Sequence, residues 1–196
     1  MSGSTLEEHR AVERIVRGAF GALTGRRGEA LWYAMMDDTP VGVLGLAAGV
    51  RGLRHLSFVR GEDDFLERLL AEHGNVAILK SAELDEVRRA LDRYFAGKRL
   101  DFDLAVDLGD LAPFHRRVLD ATAKVPAGRV ATYTQIAARA GSPKASRAAG
   151  NALHNNPVAI VVPCHRVLRT DGSLGGYGGG LPIKEWLLRH EGALLS

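Results

Sequence analysis

The sequence predicts an α+β protein. A small N-terminal domain of antiparallel sheet plus helices precedes a mostly helical C-terminal domain containing a helix-turn-helix. Three observations predict this. Three short strand-like runs lie between residues 30 and 59, separated by turn sequences. Beyond Gly109–Pro113, which reads as a linker, the pattern changes to short helices. Two of those helices, joined across a glycine, occupy 134–154.

Taken in order, residues 6–23 place Leu6, Val12, Ile15, Val16, Ala19, Phe20 and Leu23 at roughly helical spacing before TGRRG stops the run. Residues 1–29 therefore read as an N-terminal extension of helical character. Ala30–Met36, Val41–Ala47 and Leu53–Val59 read as the strands of a meander. Phe65–His73 reads as a helix stopped by Gly74, and Val76–Leu79 as a short apolar stretch. Leu84, Val87, Leu91 and Phe95 make 84–95 an amphipathic helix that Gly97 ends. Phe102–Leu108 alternates like a strand. These elements define an N-terminal α/β domain over 30–108 and a C-terminal domain over 113–196. In the latter, Pro113 suits the first position of a helix over Phe114–Val125.

Bulk properties narrow the class. The chain has 196 residues, 46% of them hydrophobic and 25% charged, enough to bury a core. No apolar run approaches the roughly 20 residues that cross a bilayer, so no membrane partner is expected. The polar start MSGSTLEEHR does not read as a signal peptide, and a cytoplasmic protein is the default. One cysteine allows no internal disulfide and argues against a multi-cysteine zinc site. The net charge of +3 hides an asymmetry. Residues 1–110 hold 15 Lys+Arg against 19 Asp+Glu (−4), and 111–196 hold 11 against 4 (+7). A basic C-terminal half suits a phosphate-facing surface, although many basic faces are merely solvated.

Two segments carry chemistry. In the first, Thr134 can cap a helix over Gln135–Ala140, Gly141 breaks it, and Ser142–Pro143 restarts a helix over Lys144–His154. An ordinary helical hairpin would read the same, except that Ala145, Ser146, Ala148, Ala149, Gly150 and Ala152 make the second helix thin. Arg147 projects alone from this surface, which suits a narrow groove or an opened base stack. In the second, VAIVV at 158–162 reads as a buried strand running into Pro163, Cys164, His165 and Arg166. A cysteine beside a histidine is a candidate nucleophile, because the thiolate is the reactive form and needs a proton acceptor. Glu191 is a candidate to orient that histidine. A lone cysteine is also often a small buried hydrophobe, and neighbouring Cys and His side chains need not meet.

The combination resembles the O6-alkylguanine-DNA alkyltransferase family, also called methylated-DNA–protein-cysteine methyltransferases. The matching motifs are VPAGRVATY at 125–133, SPKASRAAG at 142–150, NPV at 156–158, VPCHRV at 162–167, GYGGGL at 176–181 and KEWLLRHEG at 184–192. The resemblance covers 113–192 strongly, residues 30–108 look like the family's N-terminal domain, and 1–29 match nothing recognisable. It implies that Cys164 accepts the alkyl group, with His165 as a water-bridged base and Glu191 behind it. Asn156 resembles the asparagine tying the recognition helix to the cysteine segment. Tyr133 looks like the donor to the guanine ring, and Arg147 like the finger that fills the stack left by the flipped base. Val167 would offer its carbonyl to the guanine amino group. Tyr177, Gly178 and Gly179 would form a lid, with Lys184 supporting it. Ser142, Lys144, Ala145, Ser146, Ala148 and Gly150 would face duplex DNA through the minor groove.

Two departures stand out. Gly178 replaces a hydroxyl-bearing residue found in several members, leaving only a backbone contact there. Asn151 interrupts the run of small residues. Some members bind zinc through N-terminal cysteines, which this chain lacks, so no metal is expected. The implied activity is single-turnover transfer from O6-alkylguanine, with O4-alkylthymine left open, by a monomer needing no cofactor. Three other readings remain: a lesion-binding protein without transfer activity, a nucleotide-binding enzyme using the Gly-rich 172–180, and a cysteine hydrolase. The Gly-rich run lacks the strand–loop–helix context of a dinucleotide fingerprint.

Overall fold

The computed structural model describes residues 30–74, 77–81 and 84–194, so the helix expected within 6–23 lies outside the described residues. The fold is α+β, as the sequence predicts. Strands β1 (Ala30–Met36), β2 (Leu44–Gly49) and β3 (Gly52–Phe58) form the expected antiparallel meander. Helix α1 (Glu62–His73) carries three acids in its first turn and a histidine in its last, which complements its dipole. It leads to β4 (Ala77–Lys80), which pairs parallel with β1 and makes the sheet order β3-β2-β1-β4. The short apolar stretch of the sequence is thus an edge strand, and the sheet is mixed. Helix α2 (Asp85–Phe95) buries Val87, Ala90, Leu91 and Tyr94, the stripe expected of its period plus one tyrosine.

The C-terminal half is built on α3 (Pro113–Ala123), α4 (Tyr133–Arg139) and α5 (Ser146–His154), which pack pairwise on one another. A two-residue strand β5 (Ala131–Thr132) pairs parallel with β6 (Val167–Leu168). Helix α6 (Leu181–His190) is the last helix among the described residues. One hydrophobic core joins both halves, from Leu44 and Leu56 through Tyr94 to Ile136, Val158 and Leu187. Backbone hydrogen bonds reinforce the junction. Leu56 N–H donates to the Pro157 carbonyl and Ala159 N–H to the Leu56 carbonyl, both at 2.9 Å.

Several expectations are corrected. The second strand begins at Leu44, and Val41 is buried in the preceding turn. Residues 102–108 form only a one-residue bridge, Val106 to Leu53. The cap of α4 is Thr132, not Thr134: its hydroxyl accepts from Gln135 N–H while the Gln135 side chain accepts from Thr132 N–H. Helix α5 starts at Ser146. Ser142 instead opens a turn, its carbonyl accepting from Ala145 N–H at 2.9 Å.

The expected strand over 158–162 is a chain of tight turns. Val162 N–H reaches the Val158 carbonyl at 2.9 Å, and Ile160 has φ +66. That left-handed conformation is costly for a β-branched residue.

Candidate active site

The turns over 158–162 deliver Cys164 onto a one-turn 3-10 helix, Cys164–Arg166. Asn156 holds the turns together. Its carbonyl oxygen accepts from Val158 N–H at 3.1 Å, which points its amino group at the Val162 carbonyl (2.8 Å) and the Cys164 sulfur (3.2 Å). Burial pushes the Cys164 thiol up, with the Asn156 hydrogen bond and the Lys184 charge working the other way without cancelling it. The resting group is therefore a thiol beside a donor poised to stabilise the thiolate.

Behind the cysteine, Glu191 accepts four hydrogen bonds on one buried carboxylate. Tyr94 hydroxyl (2.7 Å), His165 Nε2 (3.0 Å) and an Arg166 terminal nitrogen (2.8 Å) reach Oε1, while Arg166 Nε reaches Oε2 at 2.7 Å. Glu191 caps the C-terminal end of α6, where the helix dipole disfavours an anion. Burial also pushes its carboxyl up, but the hydrogen bonds and charges of His165 and Arg166 outweigh this and hold it at about 2. Because a carboxylate only accepts, His165 Nε2 must carry the ring proton. Nδ1 then holds the lone pair, and it is buried without a hydrogen-bond partner among the described residues. Burial lowers the His165 pKa more than Glu191 raises it, so the ring is neutral at neutral pH. The geometry thus presents a neutral base with an unused acceptor, one residue from a neutral thiol.

Cys164 lies in a cleft of about 760 Å³. Tyr133, Ser146, Arg147 and Gly150 line one side, and Arg169, Tyr177 and Gly178 the other. Tyr133, the first residue of α4, runs between α5 and the Gly-rich loop. A Cβ on Gly150 would lie 3.7 Å from its ring, and one on Gly175 (φ +66) 2.9 Å from its hydroxyl. Burial pushes the Tyr133 and Tyr177 phenols up, and the Tyr177 hydroxyl is buried without a hydrogen-bond partner among the described residues. Phe58 at the end of β3 backs the loop. It meets Tyr177 edge-on at 5.6 Å and lies where any Gly179 side chain would go. Lys184 is fully buried and bonds the Val167 carbonyl (2.6 Å) and the Leu174 carbonyl. Burial pushes its ammonium down to about 8.

The structure therefore gathers Cys164, His165, Glu191, Asn156, Tyr133, Tyr177 and Gly178, with Arg147, Ser146 and Gly150 on the cleft wall. Ser142, Lys144, Ala145 and Ala148 lie outside the cleft, Lys144 and Ala148 being exposed. Gly179 packs on Phe58 rather than lining the cleft, and the Val167 carbonyl is engaged by Lys184. Sequence reasoning missed Tyr94, Arg166, Phe58 and Arg169. Tyr94 falls three residues after Leu91 on the apolar face of α2, a phenol that a dry core tolerates only with a partner.

Fold and site together define a two-part α+β protein whose one cysteine shares a cleft with an arginine-bearing helix. Residues 31–108 match the family model described as "6-O-methylguanine DNA methyltransferase, ribonuclease-like domain". Residues 113–193 match its "DNA binding domain". A Methanosarcina acetivorans methylated-DNA–protein-cysteine methyltransferase is 38% identical over 167 residues, covering 83% of this chain and 99% of that one. A Salmonella typhimurium protein of the same name is 50% identical over 102 residues, 52% of this chain and 60% of that one. The solved structure of Mycobacterium tuberculosis O6-methylguanine methyltransferase is 34% identical at TM-score 0.70, covering 83% of this chain and 93% of that one. A further crystal structure is of that organism's OGT in complex with DNA, with the same TM-score and coverage. The chain belongs to the methylated-DNA–protein-cysteine methyltransferase family.

Proposed function

We propose that this protein reverses alkylation damage in DNA by moving the alkyl group of O6-alkylguanine onto Cys164, once per molecule. The observation that carries the reading is the thiol in the cleft, clamped by Asn156 and backed by the buried His165–Glu191 pair. His165 Nδ1 takes the thiol proton through one water, and Asn156 stabilises the resulting thiolate. The thiolate attacks the alkyl carbon in line. A carbon–sulfur bond forms as the carbon–oxygen bond breaks, and the electron pair passes to the guanine. Tyr133 and backbone N–H groups near Gly178 donate to the ring and oxygen as charge develops there. The proton lost by the thiol is balanced by the one guanine regains. The thioether product has no electrophilic carbonyl for water to attack, so nothing regenerates the thiol. No cofactor is needed, because the damaged base supplies the group.

A base inside duplex is out of reach, so it must flip into the cleft. In this reading α5 lies in the minor groove, Arg147 fills the vacated stack, and Ser142, Lys144 and Arg169 face phosphates. Residues 30–108 and 113–196 act as two domains of one cytoplasmic monomer. The test is intact-mass measurement after incubation with a duplex containing O6-methylguanine. A gain of one methyl group on Cys164, absent in Cys164→Ser, supports the reading. Methylation elsewhere, or repeated turnover, overturns it.

A further inference from the structure

On the far side of β3 from Leu56 and Phe58, His55 points at the last turn of α1. It is only 5% exposed, and its Nε2 lies 2.7 Å from that of His73, the rings meeting edge-on at 77°. Glu72 comes within 3.9 Å of His55 Nδ1. One donor atom from each of the three residues lies within 4.8 Å of the others. We propose that His55, Glu72 and His73 bind a divalent transition-metal ion of the zinc class.

The chemistry favours such an ion over a harder one. Two imidazoles and a carboxylate suit zinc or its neighbours, whereas calcium and magnesium prefer all-oxygen sets. Three protein ligands leave a fourth position for water, which the adjoining cavity of about 770 Å³ admits. At zinc–nitrogen bonds of about 2.0–2.1 Å in a tetrahedron, the two nitrogens stand about 3.3 Å apart. They need to part by about 0.6 Å from their present contact. His73 can move that far, because it is half-buried at the helix end, just before Gly74. The C-terminal end of α1 also favours a cation. Arg68 on the cavity wall has its charge met by Asp64 at 2.9 Å. An ion here would pin the end of α1 to β3, the strand whose Phe58 backs the Gly-rich loop.

The alternative is a plain hydrogen bond between two neutral rings. The test uses the metal-stripped full chain carrying Cys164→Ser, so that the thiol cannot take the ion. Zinc titration by calorimetry should give one saturable site per chain. The cobalt-substituted protein should show tetrahedral d–d absorption without a thiolate charge-transfer band. Adding His73→Gln or Glu72→Gln, both at accessible positions, should weaken zinc binding at least about tenfold and abolish the zinc-dependent rise in melting temperature. Absence of a saturable site would overturn the proposal, as would equally tight zinc binding by His73→Gln.

Discussion

Replacing Glu191 with glutamine tests the charge behind the cysteine, and the structure sets the size of the effect. All four hydrogen bonds to the Glu191 carboxylate come from donors. Whichever way a glutamine amide turns, its amino group faces Arg166 Nε on one side, or Tyr94, His165 and Arg166 on the other. The Arg166 charge, 7% exposed, loses its buried partner, a change that costs about 3–5 kcal/mol. The carboxyl itself gives a similar figure. Its folded pKa of about 2 against an ordinary 4.5 amounts to about 3 kcal/mol at about 1.4 kcal/mol per unit. Because the folded value is the lower one, this contribution is present above pH 4.5 and is lost as pH falls toward 2. At neutral pH, Glu191→Gln should therefore lower the urea midpoint by about 1–3 M. The molecules that remain folded should transfer at least about tenfold more slowly. Glu191 holds the His165 pKa up, so the acidic limb of the single-turnover rate should move to lower pH. DNA affinity should barely change, since Glu191 is buried beneath the cleft. An unchanged midpoint together with superimposed pH–rate curves would refute both the relay and the buried Arg166–Glu191 pairing as a source of stability.

Arg147→Ala should slow repair of duplex far more than reaction with free O6-benzylguanine, which needs no flipping; equal losses would make Arg147 a structural residue. Wild-type DNA affinity should also fall as salt rises, through counterion release. Tyr94→Phe removes one donor from Glu191 but leaves Arg166 paired. It should cost about 1.5–3 kcal/mol in chemical denaturation, less than Glu191→Gln, and a loss as large as the glutamine's would contradict the ranking. Gly175→Ala imposes φ +66 on a side chain and places its Cβ 2.9 Å from the Tyr133 hydroxyl. It should lower stability by about 1–2 kcal/mol and slow transfer, and a wild-type rate would show that Tyr133 need not hold its place.

The cysteine segment was legible because its residue types are unusual together: a lone thiol next to an imidazole, with a carboxylate downstream. Its backbone was not. An apolar run such as VAIVV fits a buried strand and a string of turns equally well, and nothing in the composition signals Ile160 at positive φ. The cap of α4 is readable in principle, because Thr132 and Gln135 have capping-box spacing, but Thr134 imitates a cap although it lies inside the helix. Ser142–Pro143 imitates a helix start but opens a turn. His55 and His73 are 18 residues apart and meet only because α1 folds back across β3, a contact that no local pattern encodes.

The N-terminal half enters the site without a local sequence signal. Its contributions are single residues whose local context looks like ordinary core. Tyr94 completes an apolar stripe on α2, Leu56 is an inward strand residue, and Phe58 ends that strand. Each acts only through tertiary contact. Leu56 ties the turns before Cys164 to the sheet through two backbone hydrogen bonds, Phe58 backs the loop over the cleft, and Tyr94 donates to the Glu191 oxygen that His165 also uses. The carboxylate sits at the unfavourable end of α6 and is buried, so its charge persists because His165 and Arg166 hold its pKa down, and Tyr94 adds a hydrogen bond from the N-terminal half. In the mechanism proposed above, the N-terminal half therefore supplies one donor to the carboxylate behind His165. A substitution at Tyr94 should shift the pH dependence of transfer, whereas one at a comparably buried residue of the separate apolar cluster under α1, such as Leu69, should change stability alone.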